Sequence, residues 1–110
     1  MKILPELKAS YFSITQEEQN VYNYKTGDAE GFVNYPLAIK GNEVSMFFLE
    51  KKDHIKISLR SCKEFDVNMF ARKYYNGGGH KNAAGGKIYH TDIKKAEKEY
   101  IENLKEFINI

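Results

Sequence analysis

The 110 residues predict an α+β domain, a mixed sheet of four or five strands with helices packed on it. Three observations carry that prediction. From His54 to Ser61 the chain alternates, with Ile55, Ile57 and Leu59 on one side and Lys56, Ser58 and Arg60 on the other, the period of a strand. Val67, Phe70, Ala71 and Tyr74 recur at helical spacing, and Ile93, Ala96, Tyr100, Leu104 and Phe107 make a second apolar stripe. Between those helices, five of the eight glycines fall within the ten positions from Gly77 to Gly86, a glycine-rich loop between a helix and the last strand.

Taken in order, residues 1–8 read as a truncated lead-in, because Ile3, Leu4 and Pro5 follow Met1 with no capping residue; residues 9–110 read as the domain. Ala9 to Ile14 is rich in aromatic and β-branched residues and predicts a strand. Thr15 and Glu18 form a capping box, which predicts a short helix to about Tyr22, then a loop from Asn23 to Asp28. Glu30 to Ile39 is an amphipathic segment read as a helix, with Pro36 a residue that only a first turn tolerates. Glu43 to Lys51 and His54 to Ser61 predict a hairpin with Lys52-Asp53 at its tip. The unbroken Phe47-Phe48-Leu49 marks the first strand as central and covered on both faces. Asp66 caps the helix that follows, and Asn76-Gly77 supplies its left-handed stop. Lys87 to His90 reads as a short last strand, and Asp92 caps the final helix, whose mixed Lys and Glu residues are a solvated face.

Composition bounds the function. One cysteine, Cys62, excludes an internal disulfide and a cysteine-based zinc site, and points to a reducing cytoplasm. No apolar run approaches the ~20 residues of a membrane span, so no membrane partner is expected. The net charge of +2 is unevenly placed. Six basic residues against two acidic ones between Arg60 and Lys87 give a local balance of +4 and leave −2 for the rest. That potential surrounds the glycine cluster and suits an anionic ligand.

Glycine is costly to order, so a cluster of it marks unusual turns or a close approach to backbone. Small residues on both sides of His80 would leave amide N–H groups open as an anion nest, with a helix from Lys81 to Ala84 adding its dipole. A glycine triplet alone reads as an ordinary loop. The composite Gly77-Gly78-Gly79-His80-x-x-Ala83-Ala84-Gly85 is more specific. It resembles the signature of the accessory domain that follows the catalytic domain in DHH-family phosphoesterases, and the likeness runs from about Tyr11 to Tyr89.

That resemblance implies a substrate-binding domain of a manganese-dependent enzyme, in the branch acting on short oligonucleotides or 3′-phosphoadenosine 5′-phosphate, related to RecJ-like exonucleases and exopolyphosphatases. It implies an N-terminal DHH catalytic domain as partner and a short oligonucleotide or nucleotide phosphate as ligand. The contacts it implies are Arg60, Ser61, Gly77, Gly78, Gly79, His80, Asn82, Ala84 and Gly85, with His80 aimed at a phosphate and Arg60-Ser61 matching a pair that lines the cleft. Guanidinium suits bidentate phosphate contact, and imidazole can donate to a phosphate oxygen. Asn68 is a weaker candidate for base or sugar contact; Tyr74 and Tyr75 are the nearest aromatics for stacking. No Asp-His-His occurs, and His54, His80 and His90 are scattered, so no metal or catalytic residue is expected in this chain, manganese being expected in the full-length enzyme. The alternative is a stand-alone RNA-binding module like the C-terminal domain of alanyl-tRNA synthetases.

Overall fold

The computed structural model describes residues 1–21 and 41–108. The readings of Asn23 to Asp28 as loop and of Glu30 to Ile39 as helix lie outside them. The described elements are β1 (Lys2–Leu4), β2 (Ala9–Ile14), α1 (Gln16–Val21), β3 (Val44–Glu50), β4 (His54–Ser61), α2 (Val67–Tyr74), β5 (Gly78–His80), β6 (Ala83–Tyr89) and α3 (Ile93–Ile108). The strands form one sheet in the order β1-β2-β3-β4-β6-β5, with β2 and β3 parallel and every other pair antiparallel. The class is α+β with a mixed sheet, as the sequence indicates.

Six strands replace the expected four or five, for two reasons. Lys2–Leu4, read as lead-in, pairs with Ala9–Tyr11 after a 3₁₀ turn at Pro5–Leu7 that Lys8 closes at φ 53°. The glycine cluster, read as a loop, is itself a hairpin: Gly78–His80 pairs with Ala83–Gly85 about a turn at Lys81-Asn82. The last strand therefore starts at Ala83 rather than Lys87, and residues 81–84 form no helix.

Local signals hold elsewhere. In the capping box the Glu18 N–H donates to Thr15 Oγ1 (3.1 Å) and the Thr15 N–H to Glu18 Oε1 (2.9 Å). Asp66 Oδ1 accepts from the Met69 N–H at 3.0 Å and Asp92 Oδ1 from the Lys95 N–H at 2.9 Å. Asn76 takes the left-handed conformation, φ 50°.

Helices α2 and α3 cover one face of the sheet, where Met46, Phe48, Ile55, Ile57, Leu59, Phe70 and Tyr100 are buried together. Tyr100 stands edge-on to Tyr11, Phe48 and Phe70, and its hydroxyl donates to the Ser10 carbonyl at 3.1 Å. On the other face of the central strands, Phe47 and Leu49 are buried with Phe12 and Ile14 packed on them. That two-sided burial explains the unbroken apolar run of β3.

Candidate nucleotide-phosphate site

Side chains alternate along a strand, so Ile55, Ile57 and Leu59 entering the core leave Lys56, Ser58 and Arg60 on the face of β4 turned away from α2 and α3. On β6, Ala84 is buried in the core, which leaves Ala83, Gly85 and Lys87 on that same outer face. The register sets Lys56 opposite Lys87, Ser58 opposite Gly85 and Arg60 opposite Ala83. These six residues, with Gly78 and Gly79 of β5, line a groove of about 430 Å³. Its floor is small and neutral, its ends are cationic, and no carboxylate or aromatic residue lines it.

Ala83 pairs in turn with His80, so Arg60, Ala83 and His80 stand in one row across three strands. Two interstrand spacings put the Arg60 and His80 Cα atoms about 10 Å apart. The sequence names these two residues for phosphate contact; the register sets them in one row, and of the two only Arg60 lines the groove. Arg60 is half-buried on an interior strand, with Nη1 donating to the Leu59 carbonyl at 2.8 Å. His80 is exposed at the end of β5.

Ser61 and Asn82 are placed differently. Ser61 follows Arg60 on one strand and must point to the opposite face. It is buried, its Oγ donates to the Phe65 carbonyl at 2.7 Å, and it accepts from Asn82 Nδ2 at 2.9 Å. The Ser61 N–H also donates to the Asn82 carbonyl at 3.0 Å. This pair fixes the hairpin turn against the end of β4 and leaves neither side chain on the groove. Lys81, in the same turn, is held by Glu64 at 2.9 Å. That hydrogen bond and the ammonium charge keep the Glu64 carboxyl below the usual carboxylate range.

The glycines serve close approach rather than an open nest. None in the cluster has positive φ; among the described glycines only Gly41 does. A Cβ on Gly77 would stand 2.7 Å from Gly86 Cα, and one on Gly79 would stand 2.8 Å from Ala84 Cα. One on Gly78 would meet Asn68 Oδ1 at 3.0 Å and the Arg72 side chain at 3.5 Å, so Gly78 backs onto α2 rather than onto open space. Two amides expected to face an anion are already used. The Gly77 N–H donates to the Ala71 carbonyl at 3.2 Å, and the Gly79 N–H to Asn68 Oδ1 at 2.9 Å. Gly85 differs: a Cβ there would meet only the Ile57 carbonyl, at 3.2 Å, and glycine keeps the groove floor flat.

Asn68 is thus a positioning residue that ties β5 to α2. Tyr75 is buried, accepts from Asn103 Nδ2 at 3.2 Å, and its hydroxyl pKa is pushed up mainly by burial. Tyr74 is packed on Phe70 and Phe107 with its hydroxyl donating to Glu106 at 2.7 Å. Neither lines the groove. Lys56 and Lys87 carry part of its charge and were not singled out from sequence, although the alternation of β4 and a period-two reading of residues 83–89 mark both. Among the described residues no three of His, Cys, Asp and Glu converge to hold a metal ion, and no helix is long and apolar enough to cross a membrane.

Residues 12–109 match the DHHA1 domain. The chain is 35% identical over 89 residues to the bifunctional oligoribonuclease and PAP phosphatase NrnA of Bacillus subtilis, covering 81% of this chain and 28% of that protein. An exopolyphosphatase-related protein from Bacteroides fragilis superposes with a TM-score of 0.91 at 40% identity, over 96% of this chain and 31% of its own. The C-Ala domain of Aquifex aeolicus alanyl-tRNA synthetase gives a TM-score of 0.64 over 87% of this chain and 89% of its own. At 16% identity that likeness is one of fold alone. The chain therefore spans under a third of the length of the first two relatives.

Proposed function

This chain belongs to the DHHA1 domain family, and from that premise we propose that it is the nucleotide-phosphate-binding accessory domain of a DHH-type phosphoesterase. The observation that supports it best is the groove, with Arg60 and Lys87 at its ends over the flat Ser58-Gly85 floor and His80 in the row of Arg60. In this reading a short oligonucleotide or 3′-phosphoadenosine 5′-phosphate lies on the outer face of β4 and β6. Its terminal phosphate accepts hydrogen bonds from the Arg60 guanidinium and from the His80 ring. Strand register fixes the backbone under both groups, and the Arg60 guanidinium is already held at the Leu59 carbonyl, while the exposed His80 ring is ordered on binding.

The described residues offer no metal ligand set. On the strength of the family, we assign manganese and the hydrolytic step to an N-terminal DHH catalytic domain of a cytoplasmic protein. This domain's own task is to grip and orient the ligand.

The test is calorimetric titration of the 110-residue chain with a 5′-phosphorylated oligonucleotide at two ionic strengths, paired with thermal melts, for wild type, Arg60→Ala and His80→Ala. Affinity is expected to fall with salt, as phosphate contacts displace counterions. Each substitution is expected to cost about 1.5–3 kcal/mol of binding, the range for charge-assisted hydrogen bonds, with the melting temperature preserved. A sharply lowered melting temperature with unchanged affinity would make either residue structural and refute its assignment.

A further inference from the structure

Asn76 opens the glycine cluster, and its own chemistry is independent of what the groove binds. Asparagine is thermolabile, because the backbone nitrogen of the next residue can attack its side-chain amide. A side chain on that next residue shields the nitrogen, and glycine has none. Of the nine asparagines only Asn76 precedes a glycine, and no aspartate does. Asn76 is exposed, and its side-chain amide makes no hydrogen bond to a described residue. The folded hairpin nevertheless withholds the attacking nitrogen. Asn76 is the left-handed stop of α2, and the Gly77 N–H donates to the Ala71 carbonyl at 3.2 Å. Gly77 is also pressed against β6, where a Cβ would stand 2.7 Å from Gly86 Cα. Ring closure takes the proton from that nitrogen and turns the Asn76–Gly77 peptide out of its capping orientation. Both the cap bond and the packing must be given up first.

We propose that Asn76 is a latent modification site, deamidated through Gly77 when β5 opens from the sheet, and that its isoaspartate product cannot re-form the helix stop. In this step the Gly77 nitrogen loses its proton to solvent base and bonds to Asn76 Cγ. The Cγ–Nδ2 bond breaks, and Nδ2 leaves as ammonia. Water then opens the succinimide at either carbonyl, giving aspartate or isoaspartate at position 76 with no change of oxidation state. Isoaspartate routes the main chain through Cγ. It adds a methylene between residues 76 and 77, where Gly77 has no room to shift. Either product also places a negative charge beside the C-terminal end of α2, which the helix dipole opposes.

The experiment follows conversion at Asn76 by peptide mapping with mass spectrometry. The 110-residue chain is held in mildly alkaline buffer, with and without enough urea to unfold it. Reclosing is fast beside this chemistry, so the folded rate follows the population of the open hairpin. Wild type should convert at least about tenfold more slowly folded than unfolded, since opening breaks the Gly77 and Gly79 N–H bonds together. Asn68→Ala removes the acceptor of the Gly79 N–H. It should raise the folded rate by about 2- to 12-fold and leave the unfolded rate unchanged. The purified isoaspartate form should melt below Asn76→Asp, which carries the charge without the added methylene. Equal folded and unfolded rates in wild type, a comparison that needs no variant to fold, would overturn the protected site. So would an unchanged folded rate in Asn68→Ala, or another asparagine converting ahead of Asn76 in urea. An isoaspartate form that melts together with Asn76→Asp would overturn the loss of the helix stop.

Discussion

Replacing Gly79 by alanine tests why this hairpin is made of glycine. The added Cβ would stand 2.5 Å from the Ala83 carbonyl oxygen and 2.8 Å from Ala84 Cα, both backbone atoms of the paired strand. Neither can rotate away, so β5 must move off β6. Overpacking of this kind costs about 1–3 kcal/mol. Moving β5 also strains the Gly79 N–H bond to Asn68, worth about 0.5–1.5 kcal/mol. Against this, alanine restricts the unfolded chain and returns about 0.4–1 kcal/mol, because Gly79 does not occupy positive φ. The net expectation is a loss of about 1–3 kcal/mol, a drop in melting temperature of roughly 5–15 °C for a domain near this size. Differential scanning calorimetry reads it directly. Gly85→Ala is the control: its Cβ meets only the Ile57 carbonyl, at 3.2 Å, and its stability should stay within about 1 kcal/mol of wild type. A Gly79→Ala variant as stable as wild type would refute close approach as the reason for glycine.

Two further outcomes follow from the turn beside the groove. Ser61→Ala removes a buried hydroxyl that serves the Phe65 carbonyl and Asn82 together, and should lower stability by about 1–3 kcal/mol in urea unfolding; an unchanged midpoint would mean that the turn does not depend on it. The Lys81–Glu64 bridge lowers the Glu64 pKa, so its contribution is complete above the ordinary carboxylate pKa and is lost as pH falls through the lowered one. Carboxyl NMR titration should show the Glu64 midpoint rising in Lys81→Gln, and an identical midpoint in both proteins would count against the bridge.

Much of this fold is legible in the sequence. Arg60 on the outer face of its strand, the caps at Asp66 and Asp92, and the double-sided burial of β3 all come from local periodicity or side-chain chemistry, which act over a few residues. The hairpin inside the glycine cluster was not readable, because glycine has no side chain to alternate and poor strand propensity; tertiary pairing with β6 overrode both. Lys2–Leu4 failed for a related reason, since three residues are too few to display a period. Ser61 is tied to Arg60 in the sequence by adjacency, but neighbours on a strand face opposite sides of the sheet, and Asn82 sits in the turn that Ser61 binds. The sequence marks Asn68 as a candidate for base or sugar contact; its partner in the structure, the Gly79 amide, is a backbone group that no motif displays.

Tyr100, on the final helix, meets the aromatic side chains of β2, β3 and α2 at the middle of the main core. During vectorial synthesis the strands leave the ribosome first. At 5–20 residues per second, the interval between the appearance of Val44 and that of Leu104 is roughly 3–12 s. For that time Met46, Phe48 and Ile57 have no helix α3 to lie under, however well their strands have paired. The nascent sheet is a sticky surface waiting for a cover, and the exposure lasts as long as translation of the segment between them.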